Sequence, residues 1–255
     1  MIQALHNGAS GMLAQQKNID TIANNIANIN TTGYVKNRVD FKDAIYSTMV
    51  NPDDPNSTVN LQQGNGVLLS ANSKIYSPSV YYDTENPLDL SISGEGFFVV
   101  QNQQGELSYT RDGSFQVSEE NGNQFLVNAK GDYVLDKNMQ KIQLYGSPNE
   151  ITIDSKGLIT FSADQVHSSQ IGVVGFVNKG GLESAGNNLQ MATIASGQPT
   201  AIDAPKIKQQ SLEGSNVDLT DEMTQLIKAQ RAYQIASKAV STADEMEALS
   251  NNLRK

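Results

Sequence analysis

Apolar residues near both ends of the chain recur every three or four positions, which is the spacing of one face of an α-helix. Near the start, this row comprises Ile2, Leu5, Ala9, Met12, Ile19, Ala23 and Ile26. Near the end, it comprises Leu219, Met223, Leu226, Ala229, Tyr233, Ala236, Val240, Ala243, Met246, Leu249 and Leu253. The pattern predicts one helix over residues 1–28 and a second helix of about 36 residues at the other end.

Polar residues mark the ends of these helices. Asp218 is the predicted N-cap of the second helix, because its carboxylate can accept hydrogen bonds from the first free amides. Asp221 and Glu222 follow in the first turn, where carboxylates favour the positive end of the helix dipole. The first helix runs into residues 30–33, where Gly33 is free to adopt positive φ and end it.

Both apolar rows are narrow, and they approach the seven-residue repeat of a coiled-coil seam. Small or polar residues such as Ala9 and Gln16 stand at several seam positions. Two such helices bury little apolar surface, so an isolated pair is only marginally stable in water. We therefore expect the helices to pair as a coiled coil and to require neighbours from other copies of the chain.

Between the helices, the pattern changes to short apolar runs separated by turn signals such as Gly105, Gly131 and Gly157. The runs are residues 97–100, 125–127, 133–135, 151–153, 158–161 and 171–177. They predict an antiparallel β domain inserted between the helices, and therefore an α+β fold.

The same pattern divides the chain into three parts. The helices belong to a coiled-coil domain of residues 1–34 and 216–255, and the short strands to a β domain of residues 81–215. The intervening residues 35–80 are expected to form an extended arm or linker. Asn51, Pro52 and Pro55 lie in a part of this arm that has no apolar periodicity.

Charge and composition exclude several classes of function. The 255 residues include 18 Lys and Arg but 27 Asp and Glu, and the net charge is −9. A nucleic acid is not expected as a partner, because binding a phosphate backbone requires clustered cations. The chain has no cysteine, which excludes thiol nucleophiles, thiolate metal sites and disulfides. We expect neither a secretory signal peptide nor membrane insertion, because no stretch has the necessary apolar length.

The residues that usually carry chemistry are sparse. His6 and His167 are the only histidines, and neither has metal-ligand spacing to the other. The Gly94–Gly96 segment precedes a strand instead of a helix, so it predicts a tight turn and not a phosphate loop. We interpret Arg111, which stands beside Asp112, as a structural residue and not as one that binds a substrate. We expect no catalytic residue, no metal and no cofactor.

Several segments resemble the axial proteins of the bacterial flagellar rod and hook family. The most specific is the asparagine-rich segment of residues 23–34, which follows the similar residues 8–16. At the other end, residues 212–219, 229–233 and 242–246 are similar to the C-terminal signature of the family. Residues 86–90, 94–98 and 109–115 resemble motifs of its β domain. The matches cover nearly the whole chain in order, and the arm at residues 46–66 is most similar to that of distal rod subunits.

The resemblance implies a structural subunit that polymerises into a helical tube. The terminal helices would line an export channel, the β domain would form the outer layer, and the tube would transmit torque from motor to hook. The implied partners are further copies of the chain, other rod and hook proteins, and the flagellar type III export apparatus. The implied location is the extracytoplasmic basal body, reached without a cleaved signal peptide.

Periodicity and resemblance together indicate the residues that mediate assembly. In the first helix and its motif these are Leu5, Met12, Ile19, Ala23, Asn24, Asn25, Ile26, Asn28, Asn30, Gly33 and Tyr34. In the C-terminal region they are Asn216, Asp218, Met223, Leu226, Gln230, Arg231, Tyr233, Val240 and Met246. In the arm they are Asn51, Pro52 and Pro55.

Two alternatives remain open from the sequence. One is a proximal rod or hook-like subunit of the same family. The other is a secreted carbohydrate-active β protein, which requires two carboxylates at a defined separation. Asp89 and Glu95, which flank the strand entry before Phe97, are the candidates for that pair.

Overall fold

The computed structural model describes residues 2–48, 62–120, 122–146, 150–161 and 168–253. The chain forms two compact units. The first unit comprises residues 1–27, 37–73 and 218–255, and the second comprises residues 28–36 and 74–217. Four residues named in the sequence analysis lie outside the described ranges. These are Asn51, Pro52, Pro55 and His167.

The first unit contains both long helices, α1 over Ile2–Ala27 and α2 over Leu219–Leu253. Both predicted helices are therefore confirmed. The predicted cap of α2 is also present, because Oδ1 of Asp218 accepts hydrogen bonds from the amides of Thr220 at 2.8 Å and Asp221 at 3.2 Å. This cap satisfies two of the amides that the start of a helix leaves without an intrahelical partner.

The two helices pack against each other, and small residues set how closely they approach. A Cβ atom added to Gly8 would lie 2.5 Å from Cγ2 of Val240. One added to Gly11 would lie 4.0 Å from Cβ of Ala236, which is ordinary contact. Gly8 therefore allows an approach at Val240 that any larger residue would obstruct.

The described residues of the first unit also form four strands. They are β1 (Asn37–Asp43), β2 (Ser47–Thr48), β3 (Gln62–Gln63) and β4 (Val67–Lys74). β1 pairs with β4, and β2 pairs with β3 in antiparallel register. Side chains of α1 hold the start of β4 and the residues before it, because Oγ of Ser10 accepts from the amide of Val67 at 3.4 Å and Nδ2 of Asn7 donates to the carbonyl of Gly64 at 3.0 Å.

The second unit is built of short strands. In chain order they are β5 (Tyr81–Asp83), β6 (Leu90–Ile92), β7 (Phe97–Gln101), β8 (Leu107–Thr110), β9 (Gln116–Glu120), β10 (Asn123–Val127), β11 (Tyr133–Val134), β12 (Gln143–Leu144), β13 (Ile151–Ile153), β14 (Leu158–Phe161), β15 (Ser169–Gln170), β16 (Val173–Gly175), β17 (Glu183–Gly186), β18 (Leu189–Met191), β19 (Thr200–Ala201), β20 (Ile207–Gln209) and β21 (Ser211–Glu213). A short 3-10 helix at Lys179–Gly181 lies between β16 and β17.

The main sheet of this unit has the strand order β12-β10-β11-β7-β8-β18-β17. β9 also pairs with β10, and β16 lies between β7 and β19. Three smaller groups complete the unit: β13-β14-β15, β20 with β6, and β21 with β5. Every pairing whose register is given for the described residues is antiparallel, which confirms the predicted mainly antiparallel domain and the α+β class.

The core of the second unit lies on both faces of β7. Phe98 and Val100 belong to one buried cluster, whereas Phe97 and Val99 belong to another. Side chains alternate between the two faces of a strand, and here both faces are covered. This is why the sequence shows a continuous apolar run at β7 instead of an alternating pattern.

Most predicted strands are present, and one differs in length. The runs at residues 151–153 and 158–161 coincide with β13 and β14. The run at residues 171–177 forms only the three-residue strand β16. Ile171 instead pairs with Asp136 in an isolated bridge, and Val177 is almost fully exposed, so apolar character alone overestimated this strand.

Candidate functional site

Asn25 is the most buried polar residue of the asparagine-rich motif, with 1% of its surface exposed. Its Nδ2 donates to the carbonyl of Asn37 at 2.8 Å and to Oε2 of Glu222 at 3.2 Å. Its Oδ1 accepts from the amide of Asn37 at 3.0 Å. The side-chain amide therefore pairs with the main chain of Asn37 through one donor and one acceptor. It holds the first residue of β1, the end of α1 and the first turn of α2 together.

Glu222 was not among the predicted assembly residues, although it is the buried partner of Asn25. Its surface is only 1% exposed. The sequence analysis explained Glu222 by the helix dipole, which requires no burial. Its spacing carries the missed signal. Glu222 lies four residues before Leu226 and seven before Ala229, and therefore on the same side of α2 as these apolar residues.

The predicted apolar row of α2 divides between buried and exposed positions. Ala229 and Ala243 are buried, and Leu226 and Val240 are partly buried. The remaining predicted assembly residues of this helix are exposed: Met223, Gln230, Arg231, Tyr233 and Met246.

Three further large apolar side chains on the described parts of the two helices, outside both predicted rows, are also exposed. They are Leu13, Ile227 and Ile235. Apolar side chains therefore lie on more than one side of α2, and only part of them is covered within the chain.

Side chains of α1 follow a similar division. Leu5, Met12, Ile19 and Ile26 are partly buried. Ala23 and Asn24 are exposed. The buried apolar positions of α1 are Ala14 and Ile22, which are absent from the main predicted row. The period of the helix was thus correct, while the centre of its buried face lies to one side of the predicted row.

The rest of the motif belongs to the second unit, where Gly33 makes its closest contact. Gly33 is buried at φ 65°, and a Cβ atom there would lie 2.5 Å from the amide nitrogen of Asp112. Its own amide donates to the carbonyl of Glu213 at 2.8 Å. The hydroxyl of the preceding Thr32 donates to Oδ1 of Asp112 at 2.9 Å. The motif at residues 23–34 therefore meets the β-domain motif at residues 109–115 at a position that only glycine fits.

Asn216 fixes a second meeting point within this unit. Its Oδ1 accepts from the amide of Lys36 at 2.7 Å, and its Nδ2 donates to the carbonyl of Ile75 at 2.6 Å. Tyr34 is close by, because its carbonyl accepts from the amide of Asn216 at 3.5 Å. Asn28 accepts from the hydroxyl of Thr31 at 3.2 Å, while Asn30 is exposed. The asparagines of the motif thus have different environments.

A buried ion pair joins Arg111, the residue after β8, to Glu213 at the end of β21 in the same unit. Nε of Arg111 donates to Oε2 of Glu213 at 2.8 Å, and the two side chains are 11% and 5% exposed. The guanidinium also donates to the carbonyls of Gly94 at 2.9 Å and Gly96 at 3.3 Å. Arg111 is therefore structural, as expected, although its partner is Glu213 and not the adjacent Asp112. It holds the turn before β7 through charge-assisted hydrogen bonds.

The two carboxylates considered for glycoside hydrolysis both have structural partners. Oδ1 of Asp89 accepts from Nδ2 of Asn86 at 2.8 Å within a turn. Glu95 forms an ion pair with Nζ of Lys179 at 2.7 Å, and that hydrogen bond holds the pKa of Glu95 below its usual range. Both residues therefore have an explanation in the fold.

Neither helix has an apolar stretch long enough to cross a bilayer, as judged over the described residues. Within the same ranges, no three His, Cys, Asp or Glu side chains come together as a metal site.

Three family models match successive parts of the chain. Residues 5–34 match the model described as flagella basal body rod protein. Residues 91–161 match the flagellar hook protein FlgE/F/G D1 domain, and residues 208–253 match the C-terminal model of flagellar basal body rod FlgEFG proteins. The first and third matches contain the two helices and their motifs.

Full-length relatives agree with these matches. The flagellar basal-body rod protein FlgG of Borreliella burgdorferi is 38% identical, with 100% of both chains covered. FlgG of Agrobacterium fabrum is 39% identical, over 99% of this chain and 100% of the relative. The chain belongs to the flagellar basal-body rod family. It is a structural subunit of the rod, and it is most like the distal rod protein FlgG.

A relative with a different name is also similar to this chain. The flagellar hook-basal body complex protein FlhP of Bacillus subtilis is 32% identical over 100% of both chains. Asn25, Gly33 and Asn216 all lie in the segments that the N- and C-terminal family models match. The contacts described above are therefore made by residues of the family's own motifs.

Proposed function

We propose that this rod subunit polymerises through its terminal helices into a helical tube. In this tube, α1 and α2 form a coiled-coil inner layer around an export channel, and the tube transmits torque from the motor to the hook. The names of the full-length relatives support a rod component. The role is mechanical and not catalytic.

One observation carries this proposal: α2 leaves large apolar side chains exposed in the single chain. Ile227 is 60% exposed and Ile235 is 70% exposed. Met223, Met246 and Leu249 are each at least half-exposed. Single exposed apolar residues are common on protein surfaces, but a set of five on one helix marks an interaction surface. Burial of such side chains contributes roughly 1.5 to 3 kcal/mol each, so neighbouring helices would gain stability by covering them.

The close approach of α1 and α2 supports a dense inner layer. Gly8 meets Val240, and the buried positions at the helix pair include Ala14, Ala229 and Ala243. Short side chains on the facing sides keep the helix axes close and direct the larger apolar side chains elsewhere. A coiled coil among several copies would then use the exposed row as a second seam.

The same proposal assigns each part of the chain a position in the tube. Residues 1–34 and 216–255 would form the inner layer, and residues 81–215 the outer layer. Residues 35–80 would form the arm that bridges neighbouring subunits. For that arm, the proposal rests on the family resemblance, since Asn51, Pro52 and Pro55 lie outside the described residues.

The proposed partners follow from the family. The subunit would contact further copies of itself and other rod and hook proteins. It would reach its extracytoplasmic position through the flagellar type III export apparatus. Neither nucleic acid nor a membrane span is part of the proposal.

The decisive experiment introduces a charge into the exposed apolar row. In Ile227→Asp, the free energy of unfolding of the dilute chain should stay within about 0.5 kcal/mol of the parent, because the side chain is exposed there. Polymerisation should be lost, because the interface would have to bury an unpaired carboxylate. Polymer formation would be measured by sedimentation and electron microscopy.

The matched control is Gln225→Asp, which adds the same charge to an exposed polar position on the same helix. It should retain most of the polymerisation of the parent chain. Normal tubes from Ile227→Asp would contradict the proposal.

A further inference from the structure

A cleft of about 450 Å³ opens on the second unit. Its floor contains the buried Arg111–Glu213 ion pair, and Tyr34, Tyr76 and Tyr81 are among the residues that line it. This volume is typical of a binding site, as is an apolar wall with a few polar groups. The ion pair makes the floor rigid, because the guanidinium is also tied to the carbonyls of Gly94 and Gly96.

The charges around the cleft do not balance. Three cations line it, and two of them have partners: Arg111 pairs with Glu213, and Lys179 pairs with Glu95. The third is Lys206, which is exposed and whose ammonium group forms no ion pair or hydrogen bond with any described residue. The cleft therefore presents one uncompensated positive charge, in a chain whose net charge is −9.

The backbone fixes the position of this lysine. The carbonyl of Lys206 accepts from the amide of Ser93 at 2.7 Å, and the buried Pro205 precedes it. Ile207, which follows at the start of β20, belongs to the buried core. Only the side chain of Lys206 remains free to move, so its charge is confined to the rim of the cleft.

Charge identifies the kind of occupant. Copies of a chain with 27 acidic and 18 basic residues repel one another unless cations of one copy face carboxylates of the next. The unpaired cation of this cleft can face a carboxylate of the next copy. The tyrosines that line the cleft suit the same contact, because tyrosine rings bury apolar surface at protein interfaces while their hydroxyls stay hydrogen-bonded.

We propose that this cleft receives a carboxylate-bearing segment from a second copy of the chain, with Lys206 as the cation that pairs with it. The inference rests on the proposed polymerisation and adds an electrostatic contact between second units to the helix contacts. It predicts that assembly depends on ionic strength through this lysine, because added salt screens an ion pair at a rim.

The first test uses charge reversal in the full-length chain. Lys206→Glu should raise the concentration needed for polymerisation by about tenfold, because it places like charges together at the contact. The matched control is Lys208→Glu, two positions away, which disrupts an exposed ion pair with Asp83. This control should shift the concentration by less than about twofold, since exposed pairs contribute little. Equal shifts for the two variants would overturn the inference.

The second test identifies the partner carboxylate directly. Polymer assembled from equal amounts of ¹⁴N- and ¹⁵N-labelled chains would be treated with a carbodiimide, which links an amine to a carboxylate in direct contact. Peptides that contain Lys206 should be joined to an Asp or Glu peptide carrying the other label. Links only within one chain, or a Lys206 that stays as reactive toward an acetylating reagent in the polymer as in the free chain, would overturn the inference.

Three further outcomes distinguish the possible failures. Protection of Lys206 in the unpolymerised chain by inorganic phosphate alone would mean that the cleft takes a free anion, which would overturn the inference. Tubes of the parent chain with an unprotected Lys206 would leave the proposed function intact and remove only this contact. Failure of the parent chain to polymerise would overturn the proposed function itself.

Discussion

Asn25 and Glu222 are 197 positions apart in the sequence and share a buried hydrogen bond of 3.2 Å. The same amide group of Asn25 also pairs with the main chain of Asn37. Three separate stretches of the chain therefore meet at one side chain within the first unit. Asn25 belongs to the asparagine-rich motif, so part of this motif holds the fold of the single chain together.

Replacing Asn25 should be costly for this reason. Asn25→Ala removes three hydrogen bonds and leaves the main chain of Asn37 and the buried carboxylate of Glu222 without these partners, so we expect a loss of about 2 to 4 kcal/mol in the free energy of unfolding. Urea unfolding of the full-length chain measures this loss. The control is Asn30→Ala, an exposed position of the same motif, which should change stability by less than about 0.5 kcal/mol. Equal losses at the two positions would contradict the assigned role.

The two glycines of α1 should respond in opposite directions to the same substitution. Gly8→Ala places a methyl group 2.5 Å from Val240, and such overpacking costs about 1 to 3 kcal/mol, which exceeds the gain of about 1 kcal/mol in helix propensity. Gly11→Ala meets only an ordinary contact at 4.0 Å, so it should stabilise the chain by about 0.5 to 1 kcal/mol.

Thermal unfolding of the two variants would separate these effects. In the background of Val240→Ala, the penalty of Gly8→Ala should disappear, because the clashing methyl group is gone. A stabilising Gly8→Ala in the parent chain would show that the helices do not approach this closely.

The Arg111–Glu213 ion pair can be tested with a double-mutant cycle, in which loss of the cation alone should cost more stability than loss of both charges. Arg111→Met leaves Glu213 buried without its cation and should cost about 3 to 5 kcal/mol. Combining it with Glu213→Gln should recover part of this loss, because the buried charge is then removed. Chemical unfolding measures all four corners of the cycle. Lys208→Met, which breaks the exposed pair with Asp83, serves as the reference and should cost at most about 1 kcal/mol. If Glu213→Gln recovered none of the stability lost in Arg111→Met, the expected cost of the buried, unpaired carboxylate would be contradicted.

Tyr76 predicts how stability changes at alkaline pH. Burial raises the pKa of Tyr76 from 10.0 to about 12, and its hydroxyl donates to Oε1 of the buried Gln190 at 2.7 Å. Since the folded pKa lies above the unfolded one, the stabilisation is fully present below about pH 10 and is lost as the pH rises towards 12.

Tyr76→Phe isolates this contribution from those of the other tyrosines. At pH 7, the variant should be less stable by about 1 to 2 kcal/mol, because Gln190 loses its donor. The difference between variant and parent should shrink as the pH rises above 10, as measured by urea unfolding at a series of pH values. A difference that is constant up to pH 11.5 would contradict the raised pKa of Tyr76.

The helices and the β domain were accessible from the sequence for physical reasons. Helical and strand periods are local, so the spacing of Leu226, Ala229 and Val240 predicts α2 without any tertiary information. The cap at Asp218 is local in the same way, because it bonds only to residues two and three positions away. The length of β16 was overestimated, since burial of its flanks depends on strands far away in the chain.

The candidate site was predictable only in part. The asparagine-rich motif identified the correct segment, but nothing in its spacing distinguishes the buried Asn25 from the exposed Asn24 and Asn30. The spacing of Glu222 to Leu226 and Ala229 indicates which side of α2 it is on, but not which residue it meets there. Its burial beside Asn25 depends on a contact across 197 positions.

The sequence by itself determined the period and extent of both helices, the antiparallel class of the inserted domain and the family. All of these depend on local patterns and on the order of motifs along the chain. Only the tertiary structure decided which side of each helix is covered, which carboxylate meets Asn25 and which cation of the cleft lacks a partner. Those choices depend on the distances between residues far apart in the chain. A period fixes the direction of a side chain relative to its own helix, but not what the fold places opposite to it.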